Sequence, residues 1–167
     1  DMLLSGGRRL RAADLALMAA VGCTELVVRT RLRIALFSTG DEVREPGTML
    51  APGQIYDSNR VALRALLTSL GCMVSDLGIL ADDPKKTADA ITKAARTHDL
   101  LISSGGVSVG EEDHVRDVVE GQGRIDIWRL AIKPGRPLIL GTVRTDACPV
   151  PYLGLPGNPA AVIVTFL

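Results

Sequence analysis

Apolar positions along the chain follow two rhythms, one helical and one of short continuous runs. Leu10, Ala13, Leu17, Met18 and Val21 recur at helical spacing, and Gly22 stands where a left-handed residue would close that helix. Arg33 to Ser38 is instead an apolar run that turns abruptly polar at TGDE, the pattern of a buried strand delivering a loop. After the Pro/Gly-rich stretch EPGTMLAPGQIY, Asp57 or Ser58 can cap a helix whose stripe is Leu63, Leu66, Leu67 and Leu70, closed by Gly71. The strand MVSDLGIL follows. Asp83 before Pro84 predicts a capped helix to about Arg96 with Ala88, Ile91 and Ala95 inward. Beyond it come the strand LLIS, the loop SSGGVSVGEED and a helix from about His114 to Glu120. The run RIDIWRLAI, the KPGRP turn, the strand PLILGTV, a turn near Asp146, the strand YLGL, and LPGNP opening a last helix complete the chain.

Strands alternating with helices at βαβ spacing predict an α/β fold with a largely parallel central sheet and an antiparallel pair near its end. In such sheets ligands bind beyond the carboxyl ends of the strands. TGDE, ADDP, SSGGVSVGEED and LPGNP all follow strands, so four polar loops are expected on one edge.

Composition narrows the picture only slightly. A chain of 167 residues with 47% hydrophobic and 23% charged positions can build an ordinary globular core. Its 19 basic and 19 acidic residues cancel, so nothing at whole-chain level favours nucleic acid or an anionic membrane, and an anionic ligand needs a local site. Cys23, Cys72 and Cys148 are scattered, with no zinc-type spacing, which fits a reduced cytoplasmic compartment. The apolar runs are too short to cross a bilayer as a helix. The chain starts at Asp1, and its last stretch, AAVIVTFL, stops without a cap. Residues 1–30 are therefore expected to be a lead-in helix and linker from an upstream domain, and 31–167 an α/β domain cut before a further C-terminal one.

Gly105 and Gly106 directly follow a strand and precede a helix, where bare backbone amides can face an anion; a turn that merely joins strand to helix explains them equally well. A bulky Gly106 variant is expected to block the ligand while leaving the fold intact. The loop is neither a Walker A sequence nor a GxGxxG fingerprint. Asp41, Glu42, Asp82, Asp83 and Asp113 are loop carboxylates of the kind Mg²⁺ takes, although a cap role accounts for Asp83 and a surface turn for Asp41 and Glu42. Asp113 suits a helix cap and a metal about equally. Lys133 and Arg136 flank a Pro-Gly turn and could clamp an oxyanion, or be solvated. Asn158 and Pro159 read as a helix start. His98 and His114 lack partners at ligand spacing, and Trp128 reads as core.

STGDEV, GQIYDSN, GILADDP, SSGGVSVGEED, LAIKPGRP and LPGNP, in this order and spacing, together resemble the molybdopterin molybdenumtransferase family, the bacterial MoeA and gephyrin E-domain proteins. The resemblance runs from about residue 10 to the C-terminus. It implies a three-layer molybdopterin-binding fold, a mostly parallel sheet flanked by helices. It also implies Mg²⁺-dependent insertion of molybdate into adenylylated molybdopterin with release of AMP, in a homodimer whose site uses domains beyond this chain.

Carried onto matching positions, the resemblance implies Asp41, Glu42, Asp82 and Asp113 as metal ligands. Asp113, Lys133 and Arg129 would be catalytic, while Ser104, Gly105, Gly106, Ser108, Arg136, Pro156, Gly157, Asn158 and Pro159 would bind substrate. Arg129 stands where the family commonly has Lys, and His114 where it has Tyr. A molybdopterin adenylyltransferase uses a related fold with a TGGTG-type loop, and gephyrin-like relatives act as binding scaffolds, so those activities are the alternatives.

Overall fold

The computed structural model describes residues 2–81, 83–107, 114–131, 133 and 137–167, apart from the side chains of His114, Trp128 and Arg129. The core position expected for Trp128 thus lies outside the described residues. The chain divides into two compact units, Asp1–Thr30 and Arg31–Leu167. The first contains α1 (Ala12–Ala20), ended by Gly22 at φ +79°. At its start the buried Asp14 carboxylate accepts the Arg11 amide at 2.9 Å and meets the Arg8 guanidinium at 2.7 Å. The Arg11 amide first, and Arg8 with it, hold that carboxyl below the usual range against the effect of burial.

The second unit runs β1 (Arg33–Thr39), β2 (Val43–Arg44), β3 (Ile55–Tyr56), α2 (Ser58–Ser69), β4 (Met73–Leu80), α3 (Pro84–Ala95) and β5 (Leu100–Ser104). It continues with α4 (His114–Gln122), β6 (Gly123–Arg129), β7 (Pro137–Val143), β8 (Val150–Leu155) and α5 (Pro159–Phe166). The main sheet has the order β4-β1-β5-β8-β7-β6. β4, β1, β5 and β8 are parallel, and β7 runs antiparallel to both its neighbours. The expected antiparallel pair is therefore a three-strand meander.

Period-two alternation of the strand residues makes three layers. Ile34, Leu36 and Ile102 face Leu63 and Leu67 of α2 and Val162 of α5. Ala35, Phe37 and Leu101 face Ile91 and Ala94 of α3 and Val115 and Val119 of α4. With both faces covered, β1 is buried from Ile34 to Thr39, which is why its sequence reads as an apolar run rather than an alternation.

The expected caps are present. Asp57 accepts the Arg60 amide at 3.0 Å, Asp83 those of Lys85 and Lys86 at 3.0 and 3.1 Å, and Asn158 that of Ala161 at 3.1 Å. Three details differ from expectation. The α2 stripe narrows to Leu63 and Leu67, with Leu66 half-buried and Leu70 exposed, because the chain turns off the sheet into Gly71 at φ +88°. β6 ends at Arg129, short of the predicted run. The Pro/Gly-rich stretch links a short parallel pair, β2 just before it and β3 at its end, two residues a strand and too short to leave a periodicity.

Candidate functional site

The sheet opens at the carboxyl ends of β1 and β5. After β1 the chain leaves for α2 on one face, and after β5 for α4 on the other. Adjacent strands whose connections part in this way leave a crevice between them, the usual ligand position of an open α/β sheet. Ser38 and Ser104 are register partners at its floor, pointing to the α2 face.

Two loops and the first turn of α2 meet there. The Gly105 amide donates to the Leu155 carbonyl at 3.0 Å, which ties the glycine loop to the end of β8. A Cβ on Gly157 would lie 4.0 Å from the Cα of Gly105, so the two loops approach backbone to backbone. Asn59, in the first turn of α2, donates from Nδ2 to the Ser104 hydroxyl at 2.9 Å and to the Gly157 carbonyl at 2.7 Å. Pro156 is buried, while Gly157, Asn158 and Pro159 stand exposed on the rim.

Polar groups at this edge are not all paired. The hydroxyls of Ser38 and Thr39 are buried, at 2% and 6% residue exposure, and neither has a hydrogen-bond partner among the described residues. A hydroxyl withdrawn from water without a partner is unfavourable by about 1–3 kcal/mol, and such groups in a folded protein need a reason.

Gly105 and Gly106 adopt φ +85° and +65°. The expectation that a side chain at Gly106 would project at a ligand is not met. Its Cβ would stand 2.6 Å from Cγ2 of Val115, a core residue, and 2.7 Å from Oγ1 of Thr39. A Cβ on Gly105 would strike the Thr39 carbonyl. Both glycines are required by close packing of the loop on β1 and α4.

The TGDE loop leaves β1 through a turn closed by Val43 N–H donating to the Gly40 carbonyl at 3.1 Å. Asp41 and Glu42 are exposed, the Glu42 carboxylate lying back over Gly40. The loop is anchored through β2–β3 and through Arg60, a buried guanidinium missed by sequence reasoning. Arg60 is held by Asp57 at 2.8 Å, by Glu45 at 2.5 Å and by Asp76. Burial opposes its charge, but hydrogen bonds to Asp57, Asp76 and Glu45 outweigh that and raise its pKa above the ordinary value.

Of the other expected site residues, Lys133 is exposed and Ser104 buried. Asp83 is committed to its cap, where the Lys86 amide foremost keeps its carboxyl below the usual range. Asp82, Ser108, Asp113 and Arg136 lie outside the described residues, as does the side chain of Arg129. Among the described residues, no group of three or more His, Cys, Asp or Glu is placed to hold a metal. Asn59 and Ser38 were also missed. Their signal was a polar residue continuing the 59-63-67 stripe of α2, and the polar end of an otherwise apolar strand.

Residues 35–167 match the model of a family described as "Probable molybdopterin binding domain". The molybdopterin molybdenumtransferase of Haemophilus influenzae is 42% identical over 99% of this chain and 40% of its own length. A protein of the same name from Nostoc sp. is 46% identical over 98% of this chain and 38% of its own. The solved structure of a molybdopterin biosynthesis MoeA protein from Pyrococcus horikoshii shares the fold with a TM-score of 0.81 at 35% identity, covering 98% of this chain and 40% of that one. The chain thus spans about 40% of the length of these relatives.

Proposed function

The chain belongs to the molybdopterin-binding domain family, and from that premise we propose that it is the substrate-binding domain of a molybdopterin molybdenumtransferase, inserting molybdate into adenylylated molybdopterin with release of AMP. The observation that carries the reading is the crevice between β1 and β5, where two glycine-bearing loops meet over buried hydroxyls of Ser38 and Thr39 that have no partner among the described residues. A phosphate-bearing ligand supplies acceptors for such hydroxyls and for the exposed rim of the LPGNP turn at the start of α5.

Mg²⁺ is the ion that suits the donors proposed at this edge, since Asp41 and Glu42, with Asp82 and Asp113, are hard oxygen ligands. When bound it would neutralise charge on the phosphates as the anhydride is cleaved. The two described carboxylates do not form a closed metal cluster by themselves, so their fit depends on the other two. The chain's own part is positioning. Ser104 and the Gly105–Gly106 backbone cradle the phosphate with Ser108, the Pro156–Pro159 turn forms the rim, and Lys133, Arg129 and Arg136 offset oxyanion charge. We further propose that the remainder of the full-length protein, acting as a homodimer, completes the site, so that the isolated chain binds ligand without efficient turnover.

Calorimetric titration of the 167-residue chain with AMP and with molybdopterin tests this reading. Binding is expected to strengthen with Mg²⁺ and to weaken in the Asp41→Asn, Glu42→Gln double variant. Absence of binding to both ligands would remove the assignment.

A further inference from the structure

We propose that Asn59 is a positioning residue that sets the spacing between the glycine loop after β5 and the LPGN turn after β8, and so the width of the ligand crevice. This rests on the reading above that the crevice holds the phosphate-bearing substrate.

Asn59 lies in the first turn of α2, and one amide nitrogen reaches both loops. Its two N–H groups are divided between the Ser104 hydroxyl and the Gly157 carbonyl. Ser104 ends β5 and Gly157 follows β8, so the side chain bridges segments 53 residues apart in sequence (157 minus 104). Gly105 N–H also donates to the Leu155 carbonyl, at the carboxyl ends of β5 and β8. Gly105 and Gly157 have no side chains to pack against each other, so van der Waals contact does not fix their separation. The two hydrogen bonds of Asn59 supply that constraint.

The turn that carries Asn59 is itself held firmly. Asp57 caps it, and the neighbouring residue Arg60 is locked by Asp57, Glu45 and Asp76. A bridge mounted on a rigid turn transmits a fixed position to both loops. Donating to Ser104 Oγ has a further consequence. The serine oxygen is used as an acceptor, so its own proton is left for another acceptor, such as a ligand oxygen. Asn59 therefore orients a donor in the crevice and holds its walls.

The test uses the 167-residue chain with AMP as probe, comparing the unaltered protein with Asn59→Ala and Asn59→Asp. The second variant keeps the shape, and a carboxylate in the first turn of a helix favours the fold, yet it cannot donate to either oxygen. Both variants are expected to weaken AMP binding about tenfold, the loss of roughly two neutral hydrogen bonds. Amide hydrogen exchange without ligand is expected to accelerate at Gly105, Gly106, Gly157 and Asn158 while Leu101 and Ile102 in β5 keep their protection. Combining Asn59→Ala with Ser104→Ala should weaken binding by less than the product of the separate effects, because part of Asn59's action runs through Ser104.

Unchanged AMP affinity in both variants, or unchanged exchange at the two loops, overturns the positioning role. Accelerated exchange throughout β5 would mean a general structural role and overturns it too. If the unaltered chain binds neither AMP nor molybdopterin, the substrate reading falls first and takes this inference with it.

Discussion

A Cβ built on Gly106 would stand 2.7 Å from Oγ1 of Thr39, the buried hydroxyl that ends β1. The same atom would be 2.6 Å from Cγ2 of Val115, and the backbone there has φ +65°. Gly106→Ala thus combines a conformation L-residues avoid with two contacts that must give way, together about 2–3 kcal/mol. A lower melting temperature of roughly 5–10 °C is expected, and Gly106→Val should fall further. A thermal melt of Gly106→Ala within 2 °C or so of the unaltered chain would show that the loop relaxes and that the glycine serves the ligand instead.

That glycine also shows where sequence reasoning stopped. Position after a strand and before a helix identified Gly105 and Gly106 as special, but not which way a side chain would project, since that depends on Thr39 and Val115, 67 and 9 residues away from Gly106 (106 minus 39, 115 minus 106). The helices, their caps and the parallel strands were legible because each leaves a local mark: an apolar period, an Asp or Asn before Pro, a glycine after the last turn. Asp57, Asp83 and Asn158 cap as their sequence neighbours suggest. The β2–β3 pair left none, being two residues a strand. Nor did Arg60, whose partners come from three separate segments: Asp57 is legible only as a cap, and Glu45 and Asp76 look like ordinary surface charges until the chain brings them together.

The start of β1 carries a titratable clamp. Asp99 accepts from the Arg33 amide at 2.8 Å and pairs with its guanidinium at 2.7 Å. The Arg33 side chain first, and its amide next, lower the Asp99 pKa to about 2. An unfolded Asp titrates near 3.9, so the folded state binds the proton less readily. The clamp's contribution is then complete above about pH 4 and lost as pH falls from about 4 to about 2. Comparing thermal melts of the chain and its Asp99→Asn variant should show a modest gap at neutral pH, modest because both side chains are partly solvated. The gap should close on acidification through that window. A gap constant from pH 7 to pH 2 would show that the ionised form of Asp99 is not what matters.

Adjacent acidic residues at the end of β4 should separate by variant. Asp83 is engaged by the amides of Lys85 and Lys86, whereas Asp82 is proposed as a metal ligand. Asp83→Ala removes the cap at a stability cost of about 1 kcal/mol, and Asp83→Asn restores it. Neither is expected to change how strongly Mg²⁺ promotes AMP binding. Asp82→Asn should leave the melting temperature in place and weaken the Mg²⁺ effect. Finding the Mg²⁺ effect lost in Asp83→Asn and retained in Asp82→Asn would reverse the two roles.

Arg60 supports the most demanding prediction on stability. Its guanidinium stands among three carboxylates, and the Asp57 side chain is only 2% exposed. Replacing the arginine by methionine preserves bulk but leaves the Asp57 carboxylate buried without its guanidinium, beside Glu45 and beside Asp76, which among the described cations keeps only the exposed Arg64 at 3.5 Å. Removing one partner of a buried pair costs about 3–5 kcal/mol, far more than the pair's net worth, because the remaining charge is stranded. Arg60→Met should therefore melt at least roughly 10 °C lower. Arg60→Lys should fall between, since an ammonium supplies charge but cannot fork to three acceptors in different directions. Asp57→Asn keeps the α2 cap and removes one charge from an acidic excess, so its loss should be smaller, about 1–2 kcal/mol. The order of melting temperatures is then unaltered chain, Asp57→Asn, Arg60→Lys, Arg60→Met. If Arg60→Met melts with the unaltered chain, water must enter the site and solvate the carboxylates, and Arg60 would no longer account for the fixed position of α2's first turn.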